Sequence, residues 1–144
     1  GEVTWKRELP GARIRTASDA DGDGTVELFA GLPDGRFVAL DTESGRTEWS
    51  TNASHDGDSV VPPPVLGDVD GDGDPVVVGA LNTGTVVLLE PESGEVLARY
   101  ERNVPVWTFP TVQDIDSDGR AEVLVTYGDG RVVTLSYGDE LVAF

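Results

Sequence analysis

The chain has 144 residues, with 27 Asp and Glu against 10 Lys and Arg, for a formal net charge of −17. Phosphate recognition needs a cationic surface, so this balance argues against a generic binder of nucleic acid or anionic membrane. The absence of cysteine removes disulfides, thiolate catalysis, zinc–thiolate sites and iron–sulfur clusters, and no apolar run approaches the roughly 20 residues of a membrane-spanning helix.

In chain order, residues 1–9 come first. Gly1-Glu2-Val3-Thr4-Trp5 matches Gly45-Arg46-Thr47-Glu48-Trp49 in spacing. This predicts an orphan outer strand, without the three strands that should precede it. From there the chain repeats itself three times. The copies run Ser18–Ser50, Gly67–Tyr100 and Gln113–Phe144, and their leading aspartates, Asp19, Asp68 and Asp114, are 49 and 46 residues apart.

Each copy reads as four short strands. The first is predicted at Arg13–Ala17, Pro63–Leu66 and Phe109–Val112. An acidic loop follows, then a Val- and Leu-rich strand at Val26–Ala30, Val76–Ala80 and Glu122–Thr126. Such composition suits a strand buried on both faces. After a glycine turn comes the third strand, at Arg36–Leu40, Thr85–Leu89 and Arg131–Leu135. A second turn, ending in Gly45, Gly94 and Gly138, leads to the fourth, at Arg46–Ser50, Glu95–Tyr100 and Asp139–Phe144. No window shows a helical period.

Four antiparallel strands recurring at this interval are the arithmetic of a β-propeller blade. The predicted fold is all-β, one repeat domain over 1–144. It comprises the orphan strand 1–9 and blades at 10–51, 52–101 and 102–144. Three blades are too few for the usual closed ring, and an open arc leaves two apolar faces bare. The chain is therefore expected to be a partial propeller, excerpted from something longer, or half of a six-bladed dimer.

Every acidic loop is D-x-D-x-D-G. The residues are Asp19, Asp21, Asp23 and Gly24; Asp68, Asp70, Asp72 and Gly73; Asp114, Asp116, Asp118 and Gly119. Alternate carboxylates this close repel one another unless a cation lies between them, and hard oxygen ligands suit Ca²⁺. Position 7 would add a backbone carbonyl, from Thr25, Asp74 and Arg120. Position 9 would add a carboxylate, from Glu27 and Glu122. The second copy has Val76 there, so its site is expected to be weakest or to substitute Asp74 or water. No Glu stands at position 12 of any loop, which separates these loops from the EF-hand. The loops hold twelve of the 27 acids and a single base, Arg120.

The loops and following strands resemble FG-GAP/VCBS-type propeller repeats, in which a D-x-D-x-D-G-x-x-[DE] loop binds calcium between the first two strands of a blade. The later half of each blade resembles PQQ-like (quinoprotein) repeats, whose docking pattern is A-x-D-x-x-[TS]-G-x-x-x-W. Ala39, Asp41, Ser44, Gly45 and Trp49 fit it fully, and Gly1 and Trp5 fit its tail. The second copy keeps Ser93 and Gly94 but has Glu90 and Ala98; the third keeps Gly138. The resemblance implies that Trp5 and Trp49 stack between adjacent blades as structural joints.

Three functional classes follow. The preferred one is a calcium-binding propeller with a binding or structural role, toward an unidentified protein or glycan, on a secreted or cell-surface protein. The second is a fragment of a PQQ-dependent quinoprotein dehydrogenase, but that family builds its quinone site at the centre of a complete ring. The third is a PQQ-like assembly scaffold. No enzyme is expected. His55, the single histidine, has no nucleophile or orienting partner readable around it. Trp107 and Phe109 are expected to pack between blades. Asn52-Ala53-Ser54 is an N-glycosylation sequon, consistent with an extracellular setting. One lysine against nine arginines suits a halophilic organism, such as an archaeon.

Overall fold

The computed structural model describes residues 1–54 and 61–143. Among them there are twelve strands and no helix: β1 Arg13–Ser18, β2 Glu27–Gly31, β3 Arg36–Asp41, β4 Thr47–Asn52, β5 Val65–Gly67, β6 Val76–Ala80, β7 Thr85–Leu89, β8 Val96–Glu101, β9 Thr111–Gln113, β10 Glu122–Thr126, β11 Val132–Tyr137 and β12 Leu141–Ala143. They form three four-stranded antiparallel meanders, ordered β1-β2-β3-β4, β5-β6-β7-β8 and β9-β10-β11-β12. These are the three expected blades. His55 lies outside the described residues.

The sequence explains why the sheets stack. Successive strand side chains point to opposite faces, and in blade 2 both faces are apolar. Val77, Val87 and Leu89 join Phe29, Phe37 and Trp49 of blade 1 in one core. Their neighbours Val78, Val86 and Leu88 join Val123, Val125, Tyr127 and Leu135 of blade 3 in another. The continuous run Val76-Val77-Val78 is thus the signature of a strand sandwiched between two sheets. Gly79 permits a close approach of blades 1 and 2, since a Cβ there would overlap the Phe37 ring.

The end blades differ. On the far side of blade 1, Ala30, Leu32 and Val38 are covered by Leu9 and Ala12. On the far side of blade 3, Val132 is 62% exposed and Val142 53% exposed.

The N-terminal segment corrects one expectation. Residues 1–9 form no strand, since no described strand pairs with them. They nevertheless make the docking contact of an outer strand. Trp5 Nε1 donates to the Thr42 carbonyl at 2.6 Å and its ring lies against Gly45. Trp49 repeats this one blade on, donating to the Pro91 carbonyl at 2.7 Å and lying against Gly94. Both tryptophans are structural joints. Phe109, 38% exposed, does meet another blade, since the Arg15 guanidinium of blade 1 lies 3.8 Å from its ring centroid, whereas the packing expected for Trp107 is not found: it is 66% exposed.

Candidate metal centre

The three acidic loops connect β1 to β2, β5 to β6 and β9 to β10, and share one backbone design. The first aspartate of each uses both carboxylate oxygens on the loop's own amides. Asp19 accepts from Gly22 N and Gly24 N at 2.9 and 3.1 Å. Asp68 accepts from Gly71 N and Gly73 N at 2.7 and 3.0 Å. Asp114 accepts from Ser117 N and Gly119 N at 2.7 and 3.0 Å. The third and fifth positions each accept from the amide two residues on, as Asp21 does from Asp23 N and Asp23 from Thr25 N. These are Asx turns, which short acidic side chains form readily.

The fold needs a left-handed residue at position 4 as well as at position 6. Gly22 and Gly71 supply it in the first two loops. In the third, Ser117 takes φ of 65°, the only positive φ of a non-glycine among the described residues. This fourth position was not singled out from the sequence, although the glycine in two of three copies was the available signal.

The loops gather their carboxylates unequally. In the first, ligand oxygens of Asp19, Asp21, Asp23 and Glu27 all lie within 4.8 Å of one another. In the second, Asp68, Asp70 and Asp72 do so; Asp74, the expected substitute, is not among them. In the third, the set is Asp114, Asp116 and Glu122, without Asp118. Asp118 Oδ1 accepts from Arg120 N at 2.8 Å. Thr25, Asp74 and Arg120 stand at position 7 of their loops, each hydrogen bonded through its amide to the fifth-position aspartate.

The glutamate at position 9 does more than the spacing implied. Glu27 Oε2 accepts from Ala20 N at 3.1 Å, and Glu122 Oε2 from Ile115 N at 2.9 Å. Each thereby pins the start of its loop to the strand that follows. Glu27 is 0% exposed, and its Oε1 is buried with no hydrogen-bond partner. A buried carboxylate oxygen left without a partner is costly. Burial raises the Glu27 pKa above the usual carboxylate value, with the Ala20 amide opposing and the charges of Asp21, Glu48 and Asp23 adding to the rise.

Two further acids enlarge the field. Burial raises Glu48, with Asp21 and Asp23 contributing. Burial also raises Glu90, with Glu92, Glu95, Asp72 and Asp70 contributing. Asp70, Asp72 and Glu90 line a cleft of about 250 Å³ that reaches Asp21 of the first loop. Neither Glu48 nor Glu90 was recognised from the sequence. Glu90 occupies the docking-pattern Asp position of blade 2 but faces the second loop's charges. The loops of blades 2 and 3 also touch, as Ala121 N donates to the Asp68 carbonyl at 2.8 Å. Pro75, at the corresponding place in the second loop, has no N–H to offer the first.

No protein-family model and no curated protein matches the chain. Solved structures do. BamB from Moraxella catarrhalis aligns with a TM-score of 0.60 and 24% identity over 81% of this chain and 32% of that one. The C-terminal WD40 domain of Sif2 aligns with a TM-score of 0.63 and 18% identity over 91% of this chain and 35% of that one. The chain thus spans about a third of the length of each. At such identities the likeness speaks for fold alone, and both neighbours are β-propellers. The three stacked meanders are blades of a partial β-propeller.

Proposed function

We propose that the chain is a calcium-binding β-propeller module with a binding or scaffold role. The observation that carries the calcium reading is the buried, unpartnered Oε1 of Glu27, in a group with three aspartates. Four hard oxygen donors drawn that close suit a divalent cation, which would supply the missing partner and offset their mutual repulsion. Ca²⁺ tolerates the irregular, oxygen-rich shell such a loop provides better than Mg²⁺ does. Asp19, Asp21, Asp23 and Glu27 would hold the ion in blade 1. Asp114, Asp116 and Glu122 would do so in blade 3, and Asp68, Asp70 and Asp72, with one carboxylate fewer, in blade 2.

The role of the ion is mechanical. Each loop joins the first two strands of a blade, so a bound cation fixes the loops from which the blades are hung. Support for a binding role comes from the exposed apolar end face at Val132 and Val142 and from propeller neighbours that suggest an interaction scaffold. Further blades, from a second copy or a longer chain, would cover that face. An extracellular or cell-surface setting fits millimolar calcium and the sequon at Asn52, which is exposed on β4. The reading assigns the chain no catalysis.

The test is thermal unfolding in chelator and in millimolar Ca²⁺. Calcium should raise Tm and chelator should lower it again. Identical melting in both conditions overturns the metal reading.

A further inference from the structure

We propose that the groove between the first strands of the three blades docks a segment of a partner polypeptide carrying one carboxylate flanked by apolar residues, with Arg15 as the carboxylate-binding residue. The groove holds about 320 Å³ and is lined by Arg15 and Thr16 of blade 1, Val65 and Leu66 of blade 2, and Phe109 and Thr111 of blade 3.

Three observations converge on Arg15. First, it is the extra residue of a β-bulge: Ile14 pairs with Ala30 and Thr16 with Phe29, leaving Arg15 out of register. Bulges re-aim side chains, and neither β5 nor β9 shows one in its pairing. At the same place in the other repeats, four residues before the leading aspartate, stand Pro64 and Pro110. Second, the bulge directs the guanidinium over the exposed ring of Phe109, 3.8 Å from its centroid. A stacked guanidinium is held by one face and keeps its in-plane N–H donors for a bidentate carboxylate. Third, Arg15 is exposed and makes no ion pair with a carboxylate among the described residues, in a chain of net charge −17. An arginine that no described carboxylate pairs with, in so acidic a protein, is complementary to an incoming anion.

The groove's borders favour a polypeptide. β1, β5 and β9 are end strands of their sheets, so each has one backbone edge without a ladder partner, the kind of edge an extended peptide pairs with. Val65 and Leu66 offer half-buried apolar surface between them. A polyacidic segment would be repelled by the loops; a single carboxylate between apolar residues would not.

The experiment uses the full chain in calcium and follows the amide resonances of Thr16, Leu66 and Thr111. The probes are the peptides acetyl-Leu-Asp-Leu-amide and acetyl-Leu-Asn-Leu-amide, and free propionate. The Asp peptide should shift these amides and bind about tenfold more tightly than the Asn peptide. Arg15→Gln should abolish that preference and Arg15→Lys should retain part of it, while both melt like the parent. Equal binding of the two peptides, no shifts at about 10 mM, shifts confined to the acidic loops, or propionate binding as tightly as the Asp peptide would each overturn the proposal.

Discussion

Trp49 of blade 1 lies against Gly94 of blade 2, where a Cβ on residue 94 would overlap the indole ring and φ is +71°. Gly94→Ala must therefore both strain the backbone and push the tryptophan away. The expected loss is about 3 kcal/mol, from left-handed strain together with overpacking. Gly138 holds the corresponding turn of blade 3 and has nothing within 4 Å, so Gly138→Ala should be close to neutral. Denaturant melts of the two variants check the contrast.

The same repeat position predicts different costs in different blades. Phe37 is 0% exposed and fills the space above Gly79, whereas Val132, its counterpart in blade 3, is 62% exposed. Phe37→Ala should cost about 3–5 kcal/mol, and Val132→Ala should leave stability nearly unchanged in a monomer. A large loss for Val132→Ala would mean that its face is covered in solution, and light scattering would then show the covering copy.

Ser117 holds φ of 65° where the other loops have glycine. Ser117→Gly should relieve the strain and raise stability by about 1 kcal/mol, the left-handed cost less the added chain entropy of glycine. The gain should appear in chelator as well as in calcium, because it belongs to the backbone.

Arg102 donates to Asp129 Oδ2 at 2.6 Å, tying the end of β8 to the β10–β11 turn. This hydrogen bond lowers the Asp129 pKa, with the Arg131 amide and charges assisting. A carboxyl whose pKa is depressed by folding contributes stability above its unfolded pKa and loses it as pH falls through the folded one. Asp129→Asn should therefore lower Tm modestly at pH 7, and the difference from the parent should fade as pH drops below 3.8.

Much of this architecture is legible in the residues. Each of the twelve strands predicted within the three repeats overlaps an observed one, because turn glycines and Val-rich runs mark both ends of these short elements. The loops were legible for the same reason, since D-x-D-x-D-G constrains a backbone as well as a charge pattern. What escaped depends on neighbours that linear spacing does not reveal. Residues 1–9 carry an outer strand's spacing but pair with no described strand. Trp107 looked like packing material, yet its side of blade 3 is open. Spacing alone makes Glu27 one more oxygen ligand. Only its complete burial, with one oxygen bonded to Ala20 N and the other left unpartnered, distinguishes it from the exposed aspartates beside it.

That distinction ranks the sites. The first has four gathered carboxylates, the third has three including buried Glu122, and the second has three aspartates alone. Asp116→Ala should weaken calcium binding more than Asp70→Ala, whose loop already lacks the position-9 carboxylate. Equal losses would contradict the ranking.

The central claim is that a cation partners Glu27 in the first loop. A calorimetric Ca²⁺ titration of the parent against Glu27→Gln tests it most directly. The account predicts that the variant loses the tightest binding event, and that in chelator it is more stable than the parent by about 1–3 kcal/mol, having shed a buried unpaired charge. Unchanged calcium affinity and stoichiometry in Glu27→Gln would contradict it.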